Sequence, residues 1–261
     1  MSKNKFIIAI PARLNSHRLP GKVLERIGNK TMLYRVMENS LNIKNIEETF
    51  LCTDNKLIAN EANDLSLKVI LKTGNFSSGT DRIFYSNPLI LKNIKFNYNI
   101  SNLYIINIQA DQPFIDKNLI NKFVENINLM GNPELVTAYY QRQYSLEENY
   151  DMVKLITSKK SKRVLYFSRS IIPFIKKFNR SELEISESIS LKCHIGIYAY
   201  RFDILQSWSS LQKSQLEENE SLEQLRWLDN DIPIYAFEYE REVLSVDNQE
   251  QLDHARKLAN L

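Results

Sequence analysis

Two cysteines, Cys52 and Cys193, are all that this chain of 261 residues contains, and they stand far apart with no CxxC and no Cys/His pairing. A disulfide framework and a cysteine-held zinc site are therefore excluded, and a reduced compartment is the simple reading. Glycine is scarce too, with six residues at 21, 28, 74, 79, 131 and 196. Their spacing contains no Walker A loop. Five of the six fall at expected strand ends or turns, where positive φ or close approach of a ligand is required. No apolar run reaches ~18 residues, so a transmembrane helix is not expected. Met1-Ser-Lys-Asn-Lys5 enters the first strand without a signal-type apolar region. The expectation is a cytoplasmic protein with no membrane partner. A strong charge of one sign is also missing: 34 Lys and Arg against 31 Asp and Glu leave +3, without the dense basic stripe of a nucleic-acid binder. A small anionic substrate fits this balance. Neither an internal repeat nor a Pro/Ser-rich linker occurs, so one domain over residues 1–261 is expected.

What is present is a 43% hydrophobic chain, ample for a core, with strand-like and helix-like runs alternating through its first half. Strands are expected at Phe6 to Ile10, Thr49 to Thr53, Lys68 to Leu71 and Leu103 to Gln109. Helices are expected near Met32 to Ser40, Lys56 to Leu65 and Lys117 to Leu129, with another opening at Thr80. Such alternation gives an α/β fold around a mostly parallel sheet with helices on both faces. Residues 86–101 read as a surface helix or loop. The second half is less regular. Strands are expected at Leu135 to Tyr140, Val153 to Thr157, His194 to Tyr200 and Pro233 to Tyr239, with helices near Ser221 to Leu228 and Gln249 to Leu258. Residues 168–190 read as an excursion from the sheet.

The residues richest in chemistry are Ile10 to Leu24, Ile-Pro-Ala-Arg-Leu-Asn-Ser-His-Arg-Leu-Pro-Gly-Lys-Val-Leu. Arg13, Arg18 and Lys22 fall within ten residues that contain no acid, at the carboxyl end of the first strand. Open α/β sheets bind nucleotides there, and polyphosphate needs several positive charges with free backbone N–H groups at close range. A solvated basic loop is the competing reading.

Asp111 follows the central strand, and Asp247 follows the strand-like run Val243 to Val246. Two carboxylates far apart in sequence suffice for Mg²⁺, which completes its shell with phosphate and water. Each also reads as a plain helix cap. Ser78-Gly79-Thr80-Asp81-Arg82 places small hydroxyls and a flexible residue at a helix start, suited to reading a base or ribose, or simply to capping. In the second half the polar candidates are Arg169, His194, Tyr198, Glu223 and Gln224. His194 and Tyr198 lie four apart on one strand and so share a face. Arg169 suits a bidentate pair with a carboxylate, as an acidic sugar would offer.

Taken in order along the chain, these blocks resemble the 3-deoxy-manno-octulosonate cytidylyltransferase (CMP-Kdo synthetase) family. The resemblance rests on Ile10 to Leu24, Cys52-Thr-Asp54, Ser78 to Arg82, Asn107-Ile-Gln-Ala-Asp-Gln-Pro113, Leu165-Tyr-Phe-Ser-Arg169, His194-Ile-Gly-Ile-Tyr-Ala-Tyr-Arg201, Leu222-Glu-Gln-Leu-Arg226 and Ser245-Val-Asp247. It implies a Rossmann-like nucleotide-diphospho-sugar transferase fold, with an excursion at about 160–192 making homodimer contacts. By the same resemblance Pro11, Ala12, Arg13, Lys22, Ser78, Gly79, Thr80 and Gln109 bind the nucleotide, with Arg13 and Lys22 on the CTP phosphates. Asp111 and Asp247 carry Mg²⁺. Arg13, Lys22 and Asp111 form the catalytic set, and Arg169, His194, Tyr198, Glu223 and Gln224 hold the sugar acid. The implied reaction moves CMP from CTP to the anomeric hydroxyl of Kdo and releases pyrophosphate, for lipopolysaccharide biosynthesis.

Some blocks depart from the family pattern. Its Gln-Gly-Asp-Glu-Pro stands here as Gln109-Ala-Asp-Gln-Pro113, so that Ala110 replaces a glycine and Gln112 an acid. If that glycine serves a positive φ, alanine costs on the order of 1 kcal/mol; if it serves space, the methyl narrows the approach to the α-phosphate. Asn149-Tyr-Asp151 and Asp247-Asn-Gln249 also differ, from Asn-Pro-Asn and Asp-Thr-Pro. Two alternatives follow: the same chemistry on another acid, such as 8-amino-Kdo or a nonulosonic acid, or a catalytically silent CTP-binding homologue.

Overall fold

The computed structural model describes residues 3–16, 18–144, 149–174 and 189–260. In chain order the elements are β1 (Lys5–Ala12), the short pair β2 (Arg26–Ile27) and β3 (Lys30–Thr31), α1 (Met32–Asn39), β4 (Ile46–Thr53), α2 (Lys56–Asn60), β5 (Lys68–Leu71), α3 (Gly79–Asn93), β6 (Leu103–Asn107) and α4 (Lys117–Leu129). There follow β7 (Leu135–Gln143), β8 (Lys154–Thr157), β9 (Val164–Ser168), β10 (Ser190–Arg201), α5 (Phe202–Gln206), α6 (Gln215–Glu220), α7 (Leu225–Asp229), β11 (Ile234–Glu238) and α8 (Gln249–Leu258). Contacts divide the chain into two compact units. One holds Met1–Asn132, Ile197–Ser209 and Val243–Leu261, and the other Pro133–Gly196 and Ser210–Glu242.

The first unit is a mixed, mostly parallel sheet. Strands β6, β1, β4 and β5 run parallel, with Ile8 opposite both Ile106 and Thr49, and Leu51 opposite Val69. The last residues of β10 pair antiparallel with β6, with Tyr200 opposite Ile105. All five residues of β6 are buried, as are Phe6 to Ala12 of β1. Such continuous apolar runs belong to strands covered on both faces.

Helix ends follow local chemistry. Asp116 caps α4 by accepting from Asn118 N, and Asn248 caps α8 by accepting from Gln251 N. The competing readings of Asp111 and Asp247 as caps are therefore corrected, since neighbouring residues do that work. Ser78 does cap α3, accepting from Asp81 N, as the capping reading had it. Residues 86–101 are not wholly surface: α3 continues to Asn93 and buries Ser86, Asn87 and Ile90. Val243 to Val246 form no strand. This segment is irregular, held by the Val246 N–H on the Asp111 carbonyl and by burial of Val246 against Ile27, Met32 and Leu252.

In the second unit β11 pairs parallel with β7, and β8 pairs antiparallel with β9 and, at Lys154, with Cys193 of β10. The helix expected over Ser221 to Leu228 begins late, and a separate helix precedes its expected start. Helix α6 ends where Ser221 turns left-handed at φ 52°, and α7 starts only at Leu225, so Glu223 and Gln224 lie in the turn between them. Residues 175–188 of the expected excursion lie outside the described residues.

Candidate active site

The acid-free loop after β1 is closed on itself. Gly21 takes a left-handed φ of 70°, its N–H reaches the Leu14 carbonyl, and a single tight turn over Lys22–Leu24 follows. A residue with a Cβ is strained in that conformation, so glycine here sets the direction of Lys22. The Lys22 ammonium donates to Asp111 Oδ2 at 2.8 Å, Asp247 Oδ1 at 2.8 Å and the Val246 carbonyl at 3.1 Å, which uses all three of its protons. Burial disfavours its charge. The two carboxylates outweigh that effect and raise its pKa above the ordinary lysine value. Arg18, more exposed, adds a contact to Asp247 Oδ1 at 3.0 Å.

Packing brings Asp247 to this place. Val246, Leu252 and Ala255 bury against Ile27 and Met32, with Leu19 and Phe114 alongside, so the start of α8 is fixed beside the loop that carries Lys22. Val246, Leu252, Ile27 and Met32 each contribute roughly 1.5–3 kcal/mol by this burial. Gln251 accepts from the Asp247 N–H at 2.7 Å and fixes its backbone. On the other side of the site Asp81 accepts from Ser77 N at 2.9 Å and from the Trp208 indole at 2.6 Å, tethering the turn that leads into α3. Both helices thus open with a capping box displaced by one residue, the third helical side chain reaching back to the N–H before the cap.

These residues surround a cavity of about 380 Å³, within the range of small-molecule sites, lined by Pro11, Arg13, Ser16, Arg18, Lys22, Val23, Ser78, Gly79, Arg82, Gln109, Ala110, Asp111 and Asp247. Of the residues expected to bind nucleotide, Pro11, Arg13, Lys22, Ser78, Gly79 and Gln109 line it. Ala12 and Thr80 are buried. A Cβ on Gly79 would lie 3.1 Å from Pro11 Cγ and 3.4 Å from Gln109 Oε1, so this glycine serves close approach. Ala110 is not among the residues with positive φ. Its methyl therefore carries no left-handed strain, and its effect is confined to space within the cavity. The site set implied by the resemblance omits Arg18, Ser16 and Arg82, although Arg18 was read as one of the loop's three cations and Arg82 belongs to the block at Ser78. Arg82 is held by Asp54 through contacts of 3.1 and 3.2 Å and lies 4.7 Å from the Phe76 ring centre.

Among the described residues no group of three or more His, Cys, Asp or Glu gathers. Asp111 and Asp247 do converge, each with one oxygen on the same ammonium. Two carboxylate oxygens around one cationic point are the donor set that Mg²⁺ accepts, so these residues fit that metal.

In the second unit Arg169 donates from Nε to the Glu220 carbonyl at 2.8 Å, from one terminal nitrogen to the Tyr150 carbonyl at 2.9 Å and from the other to the Ser221 carbonyl at 3.4 Å. Main chain thus orients the guanidinium. His194 Nε2 lies 2.9 Å from Thr137 Oγ1, with Phe167 edge-on at 5.1 Å. Burial pushes its pKa down to about 3, so the ring is neutral near pH 7. Gln224 is buried and Glu223 half-buried. Tyr198 belongs to the first unit, where it stacks on Tyr200 at 5.9 Å.

Residues 7–243 match the family model described as cytidylyltransferase. The chain is 35% identical to the 3-deoxy-manno-octulosonate cytidylyltransferase of Thermodesulfovibrio yellowstonii, covering 97% of this chain and 98% of that protein. The same enzyme of Rickettsia prowazekii is 35% identical over 98% and 96% of the two chains. Among solved structures, CMP:2-keto-3-deoxy-manno-octonic acid synthetase complexed with CTP is similar with a TM-score of 0.84 and 30% identity, covering 98% of each chain. A cytidylyltransferase from Leptospira borgpetersenii, 18% identical with a TM-score of 0.58 over 97% of this chain and 85% of its own, shares the fold. This chain therefore belongs to the cytidylyltransferase family, and within it to the 3-deoxy-manno-octulosonate cytidylyltransferases.

Proposed function

We propose that the chain transfers CMP from CTP to the anomeric hydroxyl of Kdo, releasing pyrophosphate, a step toward lipopolysaccharide. The observation that carries this reading is the clasp of Lys22 by Asp111 and Asp247 at the wall of a cavity also lined by Arg13 and Arg18. Cations for a triphosphate and a carboxylate pair for Mg²⁺ stand within one small volume.

Arg13 and Lys22 bind the phosphates. Pro11, Ser78, Gly79 and Gln109 hold the nucleoside, with Ala12 and Thr80 as buried support. Arg169, His194, Tyr198, Glu223 and Gln224 hold the sugar acid, Arg169 through its carboxylate. Asp111 and Asp247 would hold Mg²⁺, which when bound supplies positive charge for the triphosphate and its leaving group. The anomeric oxygen attacks the α-phosphorus in line, the bond from α-phosphorus to the bridging oxygen breaks, and pyrophosphate departs while the hydroxyl proton passes to solvent. Arg13 and Lys22 stabilise the departing charge. A homodimer belongs to the same reading, formed through residues 160–192, whose described part exposes Leu165 and Phe174.

The test is pyrophosphate release by the purified chain with CTP, Mg²⁺ and a panel of Kdo, 8-amino-Kdo and a nonulosonic acid. Kdo is expected to turn over best. A second acid exceeding it would move the assignment to that sugar, a reading favoured by Gln112, whose buried Oε1 has no protein partner among the described residues where the family carries an acid. Absence of turnover on every acid would leave a silent nucleotide-binding homologue.

A further inference from the structure

Four polar side chains form a chain of hydrogen bonds from the start of α3 to the cavity. Gln109 Nε2 donates to Asn107 Oδ1 at 3.0 Å, and Asn107 Nδ2 donates to the Tyr200 hydroxyl at 3.2 Å. That hydroxyl lies 2.8 Å from Thr80 Oγ1. The Tyr200 hydroxyl therefore accepts from Asn107 and shares a second hydrogen bond with Thr80, in which either hydroxyl can donate. Asn107, Tyr200 and Thr80 are at most 1% exposed. In such surroundings an unmade hydrogen bond is costly and water offers no substitute, so the four side chains hold one another in place.

The consequence lies at its open end. With Nε2 held by Asn107, the Gln109 carboxamide cannot turn over without placing its oxygen against the Asn107 oxygen. Its Oε1 accepts no hydrogen bond from the described residues, and the nearest position on Gly79 is bare of a side chain. An oriented acceptor thus stands in the wall of the cavity.

We infer that Tyr200, Asn107 and Thr80 are positioning residues for nucleotide selection: they hold Gln109 so that its carbonyl oxygen receives a hydrogen-bond donor of the nucleoside, either an exocyclic amine or a ribose hydroxyl. The inference rests on the proposed reading of this cavity as the CTP site. None of the three positioning residues needs to touch the nucleotide. Thr80, expected from the resemblance to bind it, acts in this account from beneath.

The experiment measures CTP binding by calorimetry, with KM and kcat alongside, for the intact protein and for Tyr200→Phe, Thr80→Val, Gln109→Leu and the Tyr200→Phe/Gln109→Leu double variant. Tyr200→Phe is expected to weaken CTP about five- to ten-fold and Thr80→Val about two- to three-fold, both in KM, with kcat within about two-fold of the parent. In the Gln109→Leu background Tyr200→Phe is expected to add nothing, because its effect runs through that carboxamide. Parallel titrations separate the two donors. A selective loss of discrimination against UTP identifies the base amine, and against 2′-deoxy-CTP the ribose hydroxyl. CTP binding unchanged in Thr80→Val, or an undiminished Tyr200→Phe effect in the Gln109→Leu background, overturns the inference, as does unchanged discrimination in both titrations. Thr80→Val carries the test if the tyrosine variant does not fold. Failure of the parent protein itself to bind CTP would instead remove the nucleotide-site reading on which the inference stands.

Discussion

The two units present their functional groups in opposite ways. In the first, Asp111 and Asp247 clasp Lys22 in the wall of a cavity, held by a glycine turn and an apolar cluster. In the second, Arg169 is oriented by three main-chain carbonyls, while His194 is held neutral by burial. The first arrangement suits exchange of one set of charges for another, as when a polyanion arrives with its metal. The second suits a fixed host whose guanidinium waits for an acid. On the proposed reading, catalytic charge falls in one unit and sugar-acid recognition largely in the other.

That division is open to attack by substitution. Asp111→Asn removes one of the two converging carboxylates and is expected to lower kcat by about 10²–10³, the cost of losing one electrostatic anchor of a transition state. Stopped or steady-state pyrophosphate assays measure it. A loss expressed only as a higher KM for the sugar acid would break the comparison. Arg169→Ala should do the reverse, raising KM for the sugar acid about 10- to 100-fold through loss of a charged hydrogen bond while leaving CTP binding within about two-fold. Calorimetry with CTP alone checks the second half of that statement.

Smaller effects sharpen the picture. Gly79→Ala places a methyl 3.1 Å from Pro11 Cγ and 3.4 Å from Gln109 Oε1, so CTP KM should rise about two- to five-fold with little change in the sugar acid's KM. For His194, burial lowers the folded pKa from the ordinary 6.5 to about 3, so between those values the unfolded chain binds the extra proton. Stability contributed by keeping this ring neutral is therefore fully present above pH 6.5 and lost as pH falls toward 3. Denaturation curves between pH 4 and 7 should be flatter in His194→Gln than in the parent. Equal slopes would show that the ring is protonated without penalty.

What could be read from the sequence followed the range of the interactions. Helices α4 and α8 run over the residues expected, because a capping Asp116 or Asn248 precedes an amphipathic run. The central strands were equally plain, since buried parallel strands are continuous apolar runs. Val243 to Val246 misled because a short apolar run looks the same whether it finds a partner strand or packs into a cluster. Ser221 hid the late start of α7, as a serine in left-handed conformation has no sequence signature as strong as glycine's. The cations and aspartates of the site were visible one by one. The convergence of the two aspartates was expected, but the clasp of Lys22 by both was not, for Lys22 lies 89 and 225 positions from the acids it touches. The chain from Gln109 to Thr80 escaped notice for the same reason, with Tyr200 120 residues from Thr80.

The central claim is that this chain joins CMP to the anomeric oxygen of Kdo. Phosphorus NMR of CTP incubated with Kdo, Mg²⁺ and the purified protein tests it directly. The account predicts that the CTP signals give way to one phosphodiester resonance and pyrophosphate in equal amounts, and that Asp111→Asn slows this strongly. Persistence of the CTP signals with the folded parent protein, or CMP appearing without the sugar diester, would contradict it.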